Sequence, residues 1–457
     1  MQRAHILPTS RSGSFDVIPK STPPLQHRRH ITPLSPVGLA LFSYGIFFGS
    51  TLIPPSAYES IMLEPNAIFL NPAAHLFVVA CVISFAVGAL IAARIRFLRR
   101  KHPRPPLSRT AIVIPVALAS ALNLLSVSIL LRNNPSLMTA WLFDAAAFKN
   151  GLDATGGLSE ALPLLFAVSW WSFWRLLEKE HVTERRDWPL RLIVGLAFMF
   201  AVATSVMKVA RYDLLPGVLG FFLIYIIFKF KHTSLPLRKY AILLAQAGVS
   251  LAGLFIAFSY LRGNDTSSDL VNSIAGYTVA SYNRLALVLS GDIQFPFGGT
   301  GTYAFRFVNR IPLLERWIDL GDALGMPSSE TVWLSEFPAV FQAGLDGRYI
   351  WASSFGYLYL DIGLFIFVYL LITGMLMGLF WKSILDGHSA GVILYPWFAF
   401  SVLFWLGDHF LAYPRLITFS TTALLFSAYE PMFRIVTSNK RHGRRRLPQR
   451  SWKEIPQ

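Results

Sequence analysis

The residues best suited to chemistry in this sequence are charges that interrupt apolar stretches. Lys208 and Arg211 lie in SVMKVARYDLLPG, Arg284 in SYNRLALVLSG, Arg306 and Arg310 in TYAFRFVNRIP, Arg348 in GLDGRYIW and Arg415 in AYPRLITF. A guanidinium can hold two oxygens of a phosphate or carboxylate at once. Several of them gathered at one surface would make a receptor for an anion such as a diphosphate. Taken singly, each arginine has a plainer use, pairing with a nearby acid or snorkelling to an interface. Asp361, in SSFGYLYLDIGLFIFVYLL, is a lone acid about two turns into an apolar helix. It either pins two helices through an arginine or handles a proton or an acceptor hydroxyl. Asp408 and His409, in LGDHFLAYP, pose the same choice, with Arg415 close by in sequence.

Other chemistries lack their residues. Phe297-Gly-Gly-Thr-Gly-Thr302 is rich in glycine but has no P-loop lysine, and it reads as a flexible turn. No HExxH pair, clustered His/Cys set or Gly-x-Ser-x-Gly elbow occurs, which disfavours a zinc protease or a soluble-type hydrolase. The one cysteine, Cys81, lies in an apolar run and allows no intramolecular disulfide.

The elements that must position these charges follow from composition. Of 457 residues, 54% are hydrophobic and only 14% charged. A soluble domain carries about a quarter charged residues, so the solvent for this chain is lipid. A membrane helix needs about 20 mostly apolar residues, and about ten segments meet that rule. They lie near 33–54, 73–97, 109–131, 160–178, 190–207, 213–230, 238–260, 353–382, 390–409 and 414–433. Backbone polar groups cannot go unpaired in hydrocarbon, and these segments are too long and too evenly apolar for alternating strands. The expected fold is therefore all-α, a polytopic transmembrane helical bundle of about ten spans.

Lysine and arginine set the orientation. The net charge of +16 is concentrated in short blocks beside apolar runs, the pattern of anchoring to anionic lipid rather than of nucleic-acid binding. Residues 1–32, every second link and the C-terminal end are basic, which places both termini in the cytoplasm. Residues 1–32 read as a disordered tail, 33–434 as the transmembrane domain and 435–457 as a basic tail. The non-cytoplasmic links are then 55–72, 132–159, 208–212, 261–352 and 410–413. The link between the seventh and eighth spans, 261–352, is by far the longest, with nine acids, six arginines and no lysine. A connection this long is unusual unless it is functional. Its apolar pieces, Tyr277 to Leu289, Ile311 to Leu320 and Thr331 to Phe341, read as helices lying on or re-entering the membrane face.

One segment carries a resemblance. Ser354-Phe-Gly-Tyr-Leu-Tyr-Leu-Asp-Ile-Gly363, followed by an apolar helix with Gly374 and Gly378, resembles a hallmark of oligosaccharide repeat-unit polymerases, the Wzy-type O-antigen and exopolysaccharide polymerases. The order of apolar spans, a long outer loop with YTVASYNRLALVLSG and then this segment is also similar, from about Lys208 to Tyr429. The resemblance implies a glycosyltransferase in the bacterial inner membrane that joins undecaprenyl-diphosphate-linked oligosaccharides at the periplasmic face. It implies no cofactor and no metal, and a chain-length regulator and a flippase as pathway partners. Within that reading, Arg211, Arg284 and Arg348 bind diphosphate with Arg415 in support, and Asp361 and His409 handle the acceptor. The related O-antigen ligases rely on a histidine in the large loop. Residues 262–351 contain none, which favours polymerase over ligase and leaves the base open. The competing readings are a transporter or flippase of a lipid-linked sugar or another anion, and a polysaccharide acyltransferase.

Overall fold

The computed structural model describes residues 33–95, 106–133, 160–208, 211–232, 267–311 and 320–445, with a few isolated positions between 135 and 257. Every regular element among them is helical. Much of the expected seventh span, 238–260, the first tail and most of the 132–159 link lie outside the described residues, as do 312–319 and 446–457.

The chain enters at α1 (Pro36–Thr51), where Ser35 caps the first turn by accepting a hydrogen bond from the Gly38 N–H at 3.2 Å. Pro54 and Pro55 stop that helix, since proline cannot supply the next helical donor. The chain then turns by 94° into α2 (Pro55–Met62). The expected first span is therefore a bent pair. Helices α3 (Pro72–Arg94), α4 (Arg109–Asn133), α5 (Ala161–Thr183), α6 (Trp188–Met207) and α7 (Arg211–His232) follow. The 261–352 segment contributes α8 (Ser267–Tyr277), α9 (Val279–Ser290) and α10 (Ser329–Gln342), with a 3-10 turn at Arg306–Arg310. Helices α11 (Ser353–Ile362), α12 (Ile366–Leu385), α13 (Ser389–Leu403) and α14 (Arg415–Arg445) complete the fold.

Five described helical segments are long and apolar enough to cross a membrane, or six if α1 and α2 form one span. The longest, Ser353–Leu385, is α11 and α12 taken together. The two are broken at Gly363, whose φ of 55° is costly for any residue with a Cβ. Asp361 therefore occupies the last turn of α11, at the break, rather than the interior of a continuous helix. The expected ninth span ends early: α13 stops at Leu403, and His409 lies in the connection beyond it. Helix α14 instead runs through Arg445, past the expected end of the bundle at 434.

Two contacts organise the bundle. Helices α3 and α12 approach at backbone distance. A Cβ on Gly374 would collide with the Phe85 carbonyl oxygen, and one on Gly88 with the Leu371 carbonyl oxygen. Gly378 continues the stripe one turn on, against Ala89 and Ala92. Small residues at this spacing let helices pack closely where apolar surface alone gives no preference. Helix α5 lies in the middle, with Trp170, Trp171 and Trp174 fully buried. Its one buried cation, Arg175, is met by Glu430 from α14 and Glu178. A helix surrounded by protein can carry such polar residues, because its partners are fixed by neighbours rather than by water.

The 261–352 segment is built into this bundle. Helix α9 belongs to the main core, with Tyr282, Leu285 and Ala286 buried beside α1 and α11 residues such as Phe47 and Phe355. A second, smaller core joins Phe295, Tyr303, Val332 and Val340 to Tyr357 of α11. The expected helices at 277–289 and 331–341 correspond to α9 and α10.

Candidate functional site

The site begins with the glycine-rich turn. Gly299 and Gly301 have φ values of 81° and 79°, which glycine alone adopts without strain. The turn bends so that its backbone amides face Asp361. The Ala304 N–H donates to Asp361 Oδ2 at 2.7 Å, and the backbone of Gly299, Gly301 and Tyr303 faces the same carboxylate. The segment that reads as a flexible linker is thus wrapped around the acid at the break between α11 and α12. Two residues beyond Ala304 stands Arg306, so Asp361 fixes the point from which that arginine projects.

Arg306 is buried and meets groups from three other elements. Its Nη1 is 3.6 Å from Asp408 Oδ2 and donates to the Tyr413 hydroxyl at 3.3 Å, both in the connection after α13. Its Nη2 is 3.8 Å from Glu336 Oε1 of α10. The guanidinium carbon lies 5.3 Å from the Tyr413 ring centroid and 5.9 Å from that of Tyr303. Tyr357 of α11 donates to Glu336 Oε2 at 3.3 Å. Tyr413 also donates to Asp408 Oδ2, and the His409 N–H donates to Asp408 Oδ1 at 2.6 Å. The His409 ring is tied through Nε2 to the Tyr369 hydroxyl at 2.9 Å. The connection itself is held to α11 by Ser354, whose N–H donates to Trp405 O and whose hydroxyl donates to Asp408 O.

These ion pairs are long, and the cluster is under-bonded. Arg306 Nε, Glu336 Oε1, Tyr303 Oη and Asp361 Oδ1 are buried and have no hydrogen-bond partner among the described residues. A buried polar group without a partner costs roughly 1–3 kcal/mol, so four together mark a place where a ligand or water has bonds to gain. Burial, with the nearby Asp408 charge, pushes the Glu336 carboxyl up to about 8. Desolvation disfavours the ionised acid, and a second carboxylate beside it acts in the same direction.

The structure brings together part of the expected set. Asp361 and His409 belong to this neighbourhood, Asp361 behind Tyr303 and His409 beside Asp408. Arg284 does not. It is fully buried in α9 and gripped by Glu64 through both terminal nitrogens, at 2.9 and 3.0 Å, with carbonyls of Ala280 and Asp346 accepting from the same nitrogens and its Nε without a partner among the described residues. Arg348 is 70% exposed and closes on Asp346 two residues away, with Nη2 2.6 Å from Oδ2. Arg415 pairs with Asp213 of α7 and stacks on Tyr212 with its guanidinium carbon 3.9 Å from the ring centroid. The cavity that Arg415 and Asp213 line has room of about 10 Å³, at the lower limit for one water. Arg211 opens α7, and its side chain lies outside the described residues. Sequence reasoning flagged Arg306 as a misplaced cation without assigning it to the site, and it passed over Glu336 and Glu64. Glu336 did have a signal: it is the only charge in the apolar run Thr331 to Phe341, the same anomaly that drew attention to Asp361.

No family model matches the chain, and neither the curated proteins nor the solved structures provide a match.

Proposed function

We propose that this protein is a membrane glycosyltransferase that polymerises undecaprenyl-diphosphate-linked oligosaccharide repeat units at the periplasmic face of a bacterial inner membrane. In this reading the chain has about ten spans, both termini are cytoplasmic, and the 261–352 segment covers the working face. The observation that carries it is Arg306: a buried guanidinium ringed by tyrosines, loosely paired to two acids and beside unfilled hydrogen-bonding atoms. An incoming diphosphate would take over the guanidinium's donors, and the charge growing on the leaving diphosphate would be stabilised there. Aromatic faces and scattered carboxyls are the lining a sugar needs next to such an anion. The resemblance around Ser354–Gly363 points to the same reaction. Asp361 then serves to hold the turn that carries Arg306, and His409 to brace Asp408.

The test is genetic. Deletion in the host is expected to leave surface glycan as single repeat units without a polymer ladder, and wild-type protein is expected to restore the ladder. Loss of all surface glycan with lipid-linked units retained inside would make the protein a flippase. An unchanged glycan profile would remove both readings.

A further inference from the structure

Resting on the polymerase reading, we infer that Glu336 is the catalytic base that takes the proton from the acceptor sugar hydroxyl. Three observations on the molecule lead to it. Among the described residues Glu336 is one of two acids at ion-pair distance from Arg306, and the other, Asp408, has both oxygens engaged, by the His409 N–H and the Tyr413 hydroxyl. Glu336 Oε1 is buried and bonded to nothing among the described residues, while Oε2 is oriented by the Tyr357 hydroxyl. And Glu336 sits on α10, a helix of the 261–352 segment that also carries exposed Trp333, Leu334 and Phe341. Of the alternatives, the His409 ring is bonded to Tyr369, and Asp361, although its Oδ1 is also unbonded, is turned to the backbone amides of the glycine-rich turn rather than to Arg306.

The groups facing Glu336 are Arg306 from the 3-10 turn, Asp408 from the connection after α13, Tyr357 from α11 and Tyr303 from the glycine-rich turn. When a diphosphate occupies Arg306, the Glu336 carboxylate loses its cation and is left with an open oxygen beside the donor sugar. In the step itself, the acceptor hydroxyl oxygen bonds to the anomeric carbon of the donor and the bond from that carbon to the diphosphate oxygen breaks. Its electron pair stays on the diphosphate, and the hydroxyl proton passes to Glu336 Oε1. A carboxyl that titrates near neutrality suits this work better than one at the ordinary value.

The experiment uses full-length protein in liposomes with purified lipid-linked repeat units, comparing wild type, Glu336→Gln and Glu336→Asp. Polymer formation is followed from pH 6 to 9.5, and binding of the lipid-linked unit is measured separately. For wild type, kcat/KM is expected to rise about tenfold per pH unit and level off near 8, since it reports the free enzyme's base. Glu336→Gln is expected to lose at least about 100-fold in rate, with a flat profile and binding within about threefold of wild type. Glu336→Asp is expected to keep part of the rate with a displaced profile. The assignment is overturned if Glu336→Gln keeps the wild-type rate and profile, or if rate and binding fall together. A wild-type protein that neither binds the lipid-linked unit nor makes polymer overturns the polymerase reading and this assignment with it, an outcome distinct from the first two.

Discussion

Arg284 of α9 and Glu64 of the link after α2 close on each other across 220 residues of chain, each terminal guanidinium nitrogen bonded to its own carboxylate oxygen at 2.9 and 3.0 Å. Tyr58 donates to the same carboxylate, and so does the Asp346 N–H at 2.9 Å. The pair thereby joins the bent first span, the loop helix α9 and the approach to α11 at one buried point. Breaking a buried pair from one side leaves an uncompensated charge and costs about 3–5 kcal/mol. Arg284→Ala is therefore expected to lower the amount and the thermal midpoint of detergent-extracted protein sharply. Arg284→Met combined with Glu64→Leu is expected to recover much of both. If the double variant is as damaged as the single one, the charge pair is not what holds these elements together.

The α3–α12 crossing makes a different prediction. Gly374→Ala places a methyl group against the Phe85 carbonyl, backbone that cannot rotate away. Overpacking of this kind costs about 1–3 kcal/mol, and the helices must separate to accept it. Gly45→Ala, where a Cβ meets nothing within 4 Å, is the control and is expected to be neutral. Unfolding midpoints of the two variants, measured side by side, decide the matter.

Arg306 and Arg348 are both arginines of the 261–352 segment, yet their surroundings separate them. Arg306→Lys keeps the charge but loses the planar fork, and polymer yield is expected to fall at least tenfold as diphosphate contacts are lost. Arg348→Ala removes a 70% exposed side chain that pairs with Asp346 two residues away and lies over the Tyr349 ring. Exposed pairs contribute about 0–1 kcal/mol, so stability is expected to be near wild type and polymer yield within about twofold. The reverse order of sensitivity, read from glycan ladders at matched protein levels, would move the anion site from Arg306 to Arg348.

Glu336 also links stability to pH. Its carboxyl titrates at about 8 in the folded protein against an ordinary value of 4.5. Folding therefore favours the protonated form. The contribution is fully present below about 4.5 and is lost as pH rises toward 8. The thermal midpoint is expected to fall between pH 5 and 8.5 by an amount equivalent to a few kcal/mol at most. Glu336→Gln, which cannot ionise, is expected to flatten that part of the curve and to be the more stable protein at pH 8.5.

Much of this protein is legible from its sequence because the information is local. Composition and apolar run length are sums over neighbouring residues, and they give the helical class and the positions of α3, α4, α6 and α7, helices long and apolar enough to cross a membrane, without reference to the rest of the chain. The helices at 279–290 and 329–342 are legible for the same reason. Breaks within spans are less so. Pro54-Pro55 announces the bend after α1, but Gly363 looks like any glycine in an apolar run until its positive φ shows that it divides α11 from α12. The partners of the buried charges are not legible at all. Arg284 and Arg306 look alike in sequence, each a lone cation in an apolar stretch. Among the described residues Arg284 donates four hydrogen bonds from its terminal nitrogens and Arg306 one, because the link after α2 brings Glu64 to α9 while α10, α11 and the connection after α13 converge on the 3-10 turn with longer contacts. The sequence by itself determined which charged residues interrupt the apolar stretches. Only the tertiary structure decided which of them are spent on holding the fold and which keep bonds to offer, since that depends on contacts between segments hundreds of residues apart.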